Sequence, residues 1–249
     1  MVKPLIMIKS TYNFILFLSM ILLFFSCQDN TKIEPNSMNI IGNIEGLRKG
    51  DVFLQKVESG LIISIDSVKI KGDSNFILNS KIDSPEIFYL YLKKEDGDTL
   101  NDRLLFFGEK GEVKINTILK TFESSASIKG SENNDLLNEY ISFKRKFNDQ
   151  NLSLLQKFYE SKKEENQNKA DSIEQKIDNL IRRRYLYTLN FASKNYNKEV
   201  SPYIALTEIN DANLKLLDTL LSKMSSRVLS GKYGKQFKEF LEERHKNED

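Results

Sequence analysis

The feature that most limits what this chain can fold into is a change of hydrophobic rhythm at Gly130. Before it, apolar residues come in short runs, several of them alternating, each closed by glycine, aspartate, serine or asparagine. After it, apolar residues recur every three or four positions through long polar stretches. Period two belongs to strands and period 3.6 to helices. The chain must therefore build a sheet structure first and a helical one second.

The first part predicts strands over 38–44, 51–57, 61–70, 75–79, 86–92, 103–107, 112–116 and 122–129. In Asp51 to Val57, the residues Val52, Leu54 and Lys56 face one way and Phe53, Gln55 and Val57 the other. In Glu86 to Leu92, Phe88, Leu90 and Leu92 oppose Ile87, Tyr89 and Tyr91. Gly108-Glu109-Lys110-Gly111 reads as a turn, as does Lys71-Gly72-Asp73. Short strands separated by such turns predict an antiparallel β-sandwich or rolled sheet.

In the second part, Ser131 reads as an N-cap, with Glu132 and Asp135 favouring the positive end of a helix. Leu136, Tyr140, Phe143, Phe147, Leu154 and Phe158 form one helical stripe. Ile173, Ile177, Leu180, Tyr187 and Phe191 form a second, and the polar segment Ser161 to Lys169 lies between them. This predicts a helical hairpin. Ser201-Pro202 marks a shorter helix with proline at its first position. Leu214 to Met224 and Lys232 to Leu241 predict two more. The fold class is thus α+β, with residues 38–129 β-rich and 130–249 helical.

The N-terminus carries a different signal. Lys3 and Lys9 precede the apolar run Phe14 to Phe25, which ends in Ser26-Cys27 and then Gln28-Asp29-Asn30. This is the pattern of a secretory signal, and the run is shorter than the roughly 20 residues a membrane span needs. A small residue followed by cysteine points to a lipoprotein signal over 1–26, with Cys27 carrying a diacylglyceryl thioether and an N-acyl chain such as palmitate. Two or more chains hold a protein stably on a bilayer. Residues 27–37 then read as a lipid-anchored tether. Gln28 in place of aspartate after Cys27 favours the outer membrane, on its periplasmic side.

Charge and residue counts narrow the function. The 37 basic side chains fall to 35 once Lys3 and Lys9 leave with the signal, matching the 35 acidic ones. A neutral mature chain gives no electrostatic footprint for nucleic acid. Cys27 is the one cysteine and His245 the one histidine. No disulfide can form within the chain, and His245 has no second histidine or thiol with which to build a typical zinc site.

Four further segments carry residue types that occur at functional sites. Glu95 to Asp102 is rich in carboxylates but lacks the register of a calcium loop, and reads as a solvated hairpin loop. Arg182-Arg183-Arg184 cannot share one helical face, since successive residues point about 100° apart; it reads as a charged exterior pairing with acids such as Asp178. Asp66-Ser67 has no histidine placed to complete a nucleophilic triad. Phe143 and Phe147 read as core, with Lys144 off their face. No catalytic, cofactor or metal residues are assigned.

Several segments resemble, in order, the N-terminal domain of unknown function found in thioredoxin-like (redoxin) lipoproteins of Gram-negative bacteria. They are Ile40 to Leu47, Gly50 to Leu54, Ile65 to Ile70, Leu105 to Val113, Ile128 to Asn133, Ser201 to Leu206 and Ser230 to Lys235. In that family a thioredoxin fold with a Cys-x-x-Cys pair usually follows. This chain stops at Asp249, so the resemblance implies the accessory part without the redox part. The expectation is a non-enzymatic, lipid-anchored envelope protein that binds or scaffolds a protein or extracellular ligand. The alternative is an accessory component acting in trans with a separate thioredoxin-like disulfide reductase.

Overall fold

The computed structural model describes residues 36–95 and 102–248. Cys27, the signal and most of the tether lie outside the described residues. Among the described residues no helix is long and apolar enough to cross a membrane.

The strands are β1 (Ser37–Glu45), β2 (Lys49–Glu58), β3 (Leu61–Lys71), β4 (Asn75–Lys81), β5 (Glu86–Lys94), β6 (Arg103–Gly108), β7 (Gly111–Ile118) and β8 (Ser127–Lys129). They form two four-stranded sheets, ordered β4-β1-β7-β8 and β3-β2-β5-β6. The second sheet is antiparallel throughout. The first is mixed, because β1 and β7 run parallel, which departs from the all-antiparallel expectation. Between β1 and β7 the chain builds the whole second sheet and, on the way, lays β4 antiparallel along the other side of β1. Such a long crossover is what a parallel pair requires.

The strand expected over 122–129 shrinks to β8. Phe122 turns into the core, and Thr117 Oγ1 donates to its carbonyl at 2.6 Å. Ser125 Oγ accepts the Ile118 amide at 3.0 Å. These bonds fold the start of the segment into a tight turn before pairing resumes.

The sandwich core lies between the sheets. Ile40, Leu78 and Val113 from the first meet Val52, Leu54, Phe88, Leu90 and Phe106 from the second, all at 0% exposure. Rows of unpaired backbone groups at sheet edges invite wrong pairing, and two edges are closed by side chains. Asp66 Oδ2 on β3 accepts the Asn79 amide of β4 at 2.7 Å. Asn134 Oδ1 accepts the Phe107 amide of β6 at 3.1 Å.

The helices are α1 (Glu132–Lys163), α2 (Gln167–Lys194), α3 (Val200–Glu208), α4 (Leu214–Lys223), α5 (Ser226–Ser230) and α6 (Lys232–Glu248). Helices α1 and α2 are the expected hairpin. Phe143 stacks on Tyr187 with ring centroids 3.4 Å apart, and Tyr140 meets Phe191 at 5.4 Å. Lys144 is more engaged than its place off the stripe suggests, pairing with Glu208 at 2.6 Å. Pro202 is the third residue of α3 rather than the first, and α5 was not expected.

The helices form a third layer on the outer face of the second sheet. Ile87 and Phe107 pack there against Leu137, Tyr140, Val200, Ile204 and Tyr233. The ends of β5 and β6 around Ile87 and Phe107 are therefore buried on both faces, one by the first sheet and one by helices, while Tyr91 and Arg103 further along the outer face are half-buried and exposed. Two glycines make the junctions possible. Gly130 has φ +92°, and a Cβ on it would sit 2.1 Å from the Glu112 carbonyl oxygen. A Cβ on Gly234 would sit 2.0 Å from the Val228 carbonyl oxygen, so only glycine lets α6 lie this close to α5.

Candidate functional site

A charged cleft of about 850 Å³ opens where the sheet loops meet the C-terminal helices. The β2–β3 turn, the β4–β5 connection and the β6–β7 turn line part of it. Glu199 before α3, the α5–α6 joint and the first turn of α6 line the rest.

The cleft begins where a sheet ladder ends. Pairing of β2 with β5 runs to Lys56 opposite Phe88 and no further. Beyond that, the Val57 carbonyl accepts from Lys232 Nζ at 3.0 Å, and the Ile87 amide donates to Tyr233 Oη at 3.0 Å. The first two residues of α6 thus take the groups that the next strand pair would have used. Lys232 also donates its backbone amide to Ser84 Oγ at 3.1 Å. The Tyr233 hydroxyl is pushed well above its ordinary range, chiefly by burial.

Two ion pairs stand in the cleft wall. Lys232 Nζ bonds Glu86 Oε2, and Lys56 Nζ lies 4.0 Å from Glu86 Oε1. Arg227 Nη1 bonds Glu199 Oε1, while Arg227 Nη2 donates to the Asn197 carbonyl. In both pairs the acid is the buried partner. The Glu86 and Glu199 side chains are 11% and 2% exposed, against 28% for Lys232 and 59% for Arg227.

A third acid, Glu109 in the β6–β7 turn, caps α1. Its Oε1 accepts from Ser131 Oγ at 2.9 Å, the Asn133 amide at 2.6 Å and Asn133 Nδ2 at 3.0 Å. Helix N-termini leave amides unsatisfied and favour negative charge. Ser131 Oγ in turn accepts the Asn134 amide at 3.0 Å, as its N-cap reading requires. Asn133 then reaches α3: Nδ2 donates to Glu199 Oε2 at 3.2 Å, and Oδ1 accepts the Val200 amide at 2.8 Å. One hydrogen-bonded chain therefore links the β6–β7 turn, α1, α3 and α5.

Asp66, Asp102, Arg182 to Arg184 and His245 do not line this cleft. Of Glu95 to Asp102, residues 96–101 lie outside the described residues. Asp102 itself is not solvated: it is 3% exposed and bonds Lys94 Nζ at 2.8 Å. Arg182 and Arg183 are exposed, while the Arg184 guanidinium lies 5.5 Å over the Phe147 ring. His245 sits on α6, 3.0 Å from Asp218. Asp66 fastens a sheet edge, as described above. Among the described residues no group of three or more histidines, cysteines or acids could hold a metal ion. A separate aromatic group lies on the second sheet, where Phe53 stacks on Tyr91 at 5.8 Å and Arg103 lies 5.2 Å over Tyr91.

Sequence reasoning missed the roles of Glu86, Glu199, Arg227 and Lys232. The one available signal was positional. Glu109, Ser131, Asn133, Lys232 and Tyr233 all stand within the segments that carry the family resemblance, and the fold brings those segments together here.

Residues 38–137 match the family model of a domain of unknown function (DUF4369). The match spans both sheets and ends in the first turns of α1, so the N-terminal resemblance read from the sequence holds over that segment. No curated protein and no solved structure matches the chain.

Proposed function

We propose that this chain is a lipid-anchored envelope protein that acts by binding rather than by catalysis, and that the charged cleft is its binding site. The observation that carries the reading is the cleft itself: an open space of about 850 Å³ walled by ion pairs whose acids are buried and whose cations reach solvent. Ligand sites are concave, largely preformed and lined by a few well-placed polar groups. The one cysteine is the proposed lipid attachment point, which leaves this chain no thiol of its own for disulfide exchange. Anchoring at Cys27 would hold the cleft near the membrane and raise its local concentration for partners there.

The test is a crosslinked pull-down from cell envelopes with the native lipoprotein and with a Gln236→Trp variant. Gln236 is exposed on α6 and lines the cleft, so the indole would obstruct the opening without entering a core. The expected result is a partner or ligand lost on substitution. Identical recovery by both proteins would remove the cleft from consideration. Recovery of a Cys-x-x-Cys protein by the native form would move the reading to an accessory role for a separate reductase.

A further inference from the structure

We infer that the cleft takes an anionic ligand, one whose carboxylate or phosphate oxygens are met by Arg227 and Lys232, with Lys110 and Lys235 attracting it at the mouth. The inference rests on the binding reading above and adds the chemical class.

The argument is one of where charge is spent. By formal count the lining is balanced, with Lys56, Lys110, Arg227, Lys232 and Lys235 against Glu58, Asp83, Glu86, Glu109 and Glu199. Burial breaks the balance. Glu86 and Glu199 are almost wholly withdrawn from solvent and each is bonded to a cation. Glu109 is turned into the N-terminus of α1, where it accepts three hydrogen bonds. The cations lie on the solvent side of their acids. Among the described residues Arg227 spends two of its five N–H donors, and Lys232 two of its three.

The remaining donors are held in place. Glu199 fixes Arg227 from below, and Glu86 with the Val57 carbonyl fixes Lys232. A guanidinium oriented this way matches the planar fork of a carboxylate or phosphate. Lys110 and Lys235 are exposed on the cleft lining, and among the described residues Lys110 bonds the neutral Asn36 Oδ1, at 2.6 Å. Glu58 and Asp83 are the two exposed acids of the lining, each next in sequence to a residue, Val57 or Ser84, that bonds Lys232. Against these two acids stand three exposed cations, Lys110, Arg227 and Lys235, with Lys232 partly exposed beside them, so the solvent-facing lining carries more positive than negative charge.

The experiment is isothermal titration of the full chain in detergent at low salt with three probes: capped tri-glutamate, inorganic phosphate and capped tri-lysine. Binding of tri-glutamate or phosphate, and not of tri-lysine, is expected. The Lys110→Gln/Lys235→Gln double variant should weaken that binding at least about tenfold, the size of one or two charge-assisted contacts. Arg227→Lys keeps the charge, loses the fork and should weaken it several-fold. Circular dichroism confirms that both variants fold.

Tri-glutamate alone would identify a carboxylate source, and phosphate a phosphorylated one. Equal affinity of wild type and the double variant, no binding of either anion, or equal binding of tri-lysine would overturn the inference. The pull-down separates this failure from that of the binding reading. If Gln236→Trp loses the partner while no anion binds, the cleft is a site for another chemistry. If Gln236→Trp loses nothing, the cleft is not the site.

Discussion

Replacing Tyr233 by phenylalanine tests whether the first turn of α6 completes the sheet ladder. Tyr233 is 8% exposed and Ile87 5% exposed, so the bond between Tyr233 Oη and the Ile87 amide is shielded from water. Phenylalanine keeps the ring contacts with Phe107 and Tyr203, at 5.8 and 5.1 Å, and removes only the acceptor. The Ile87 amide then loses its Tyr233 acceptor in a buried position. Such a loss costs about 1–3 kcal/mol; a mid-range loss of about 2 kcal/mol lowers Tm by roughly 4–8 °C for a chain of this size. Tyr203→Phe is the control, because its ring belongs to the same cluster and no hydrogen bond of its hydroxyl is found among the described residues; it should change stability by less than about 0.5 kcal/mol. Thermal unfolding supplies both values, and amide exchange at Ile87 should accelerate in the Tyr233 variant alone. Equal Tm values for the two variants, with Ile87 protection unchanged, would refute the claim that α6 finishes the ladder.

Cys27→Ser should abolish incorporation of a fatty-acid probe and leave an unprocessed precursor; label retained by the variant would contradict lipidation at this residue. Phe143→Ala should cost about 2 kcal/mol, below the full range for a buried aromatic because Phe143 is only half-buried on Tyr187. Lys144→Ala should not be silent, since it removes the bond to Glu208; about 1 kcal/mol is expected from urea unfolding. Alkaline pH should destabilise the fold. Burial raises Tyr140 and Tyr203 from 10.0 to about 12, and raises Tyr233 further. The folded state therefore holds these protons more tightly than the unfolded state. The stabilisation is complete below about pH 10 and is lost as pH rises from there through about 12. Melting curves across that range should fall more shallowly for a Tyr140→Phe/Tyr203→Phe variant.

The sequence rhythm made most elements readable, for reasons that also mark its limits. Alternation along β5 separates Phe88, Leu90 and Leu92 from Ile87, Tyr89 and Tyr91, and the structure keeps the two sets on opposite faces. It did not tell that both faces are covered, because Ile87 is buried by helices some fifty to a hundred and fifty positions later. The helical stripes through Phe147 and Leu180 were legible because a 3.6-residue period is local. The parallel pairing of β1 with β7 was not, since register between distant strands leaves no mark in either one alone. The end of the segment 122–129 paired as expected, but its start did not, because Phe122 found a core position and Thr117 its carbonyl. The cleft was hidden for the same reason as the parallel pair. Lys232 and Glu86 are 146 positions apart, and Arg227 and Glu199 are 28 apart, so no spacing rule connects them.

What the cleft costs the fold bears on why it exists. Withdrawing a carboxylate from water is expensive, and a well-packed apolar replacement for a buried ion pair is often neutral or stabilising. Glu86 and Glu199 are withdrawn in this way, at a junction where the neighbouring layer is filled by Ile87, Phe107, Ile204 and Tyr233. The same loops and helices could have closed the space with more such residues. Instead each acid holds a half-exposed cation in a fixed position, and the chain from Glu109 through Asn133 to Glu199 ties that position to the N-terminus of α1 and the start of α3. An arrangement of this kind contributes little to stability for its size, yet it orients donors in advance, so an incoming anion would not have to order them itself. Loosening the chain at Asn133 should therefore separate stability from recognition. Asn133→Ala removes the acceptor of the Val200 amide and one donor to Glu199, so Glu199 holds Arg227 from a less fixed position while the charge of Arg227 remains. Weaker anion binding with the salt dependence retained is expected, read by the same titration at two salt concentrations. Unchanged affinity in a folded Asn133→Ala variant would show that Arg227 is positioned by other contacts and that preorganisation through this chain was the wrong account.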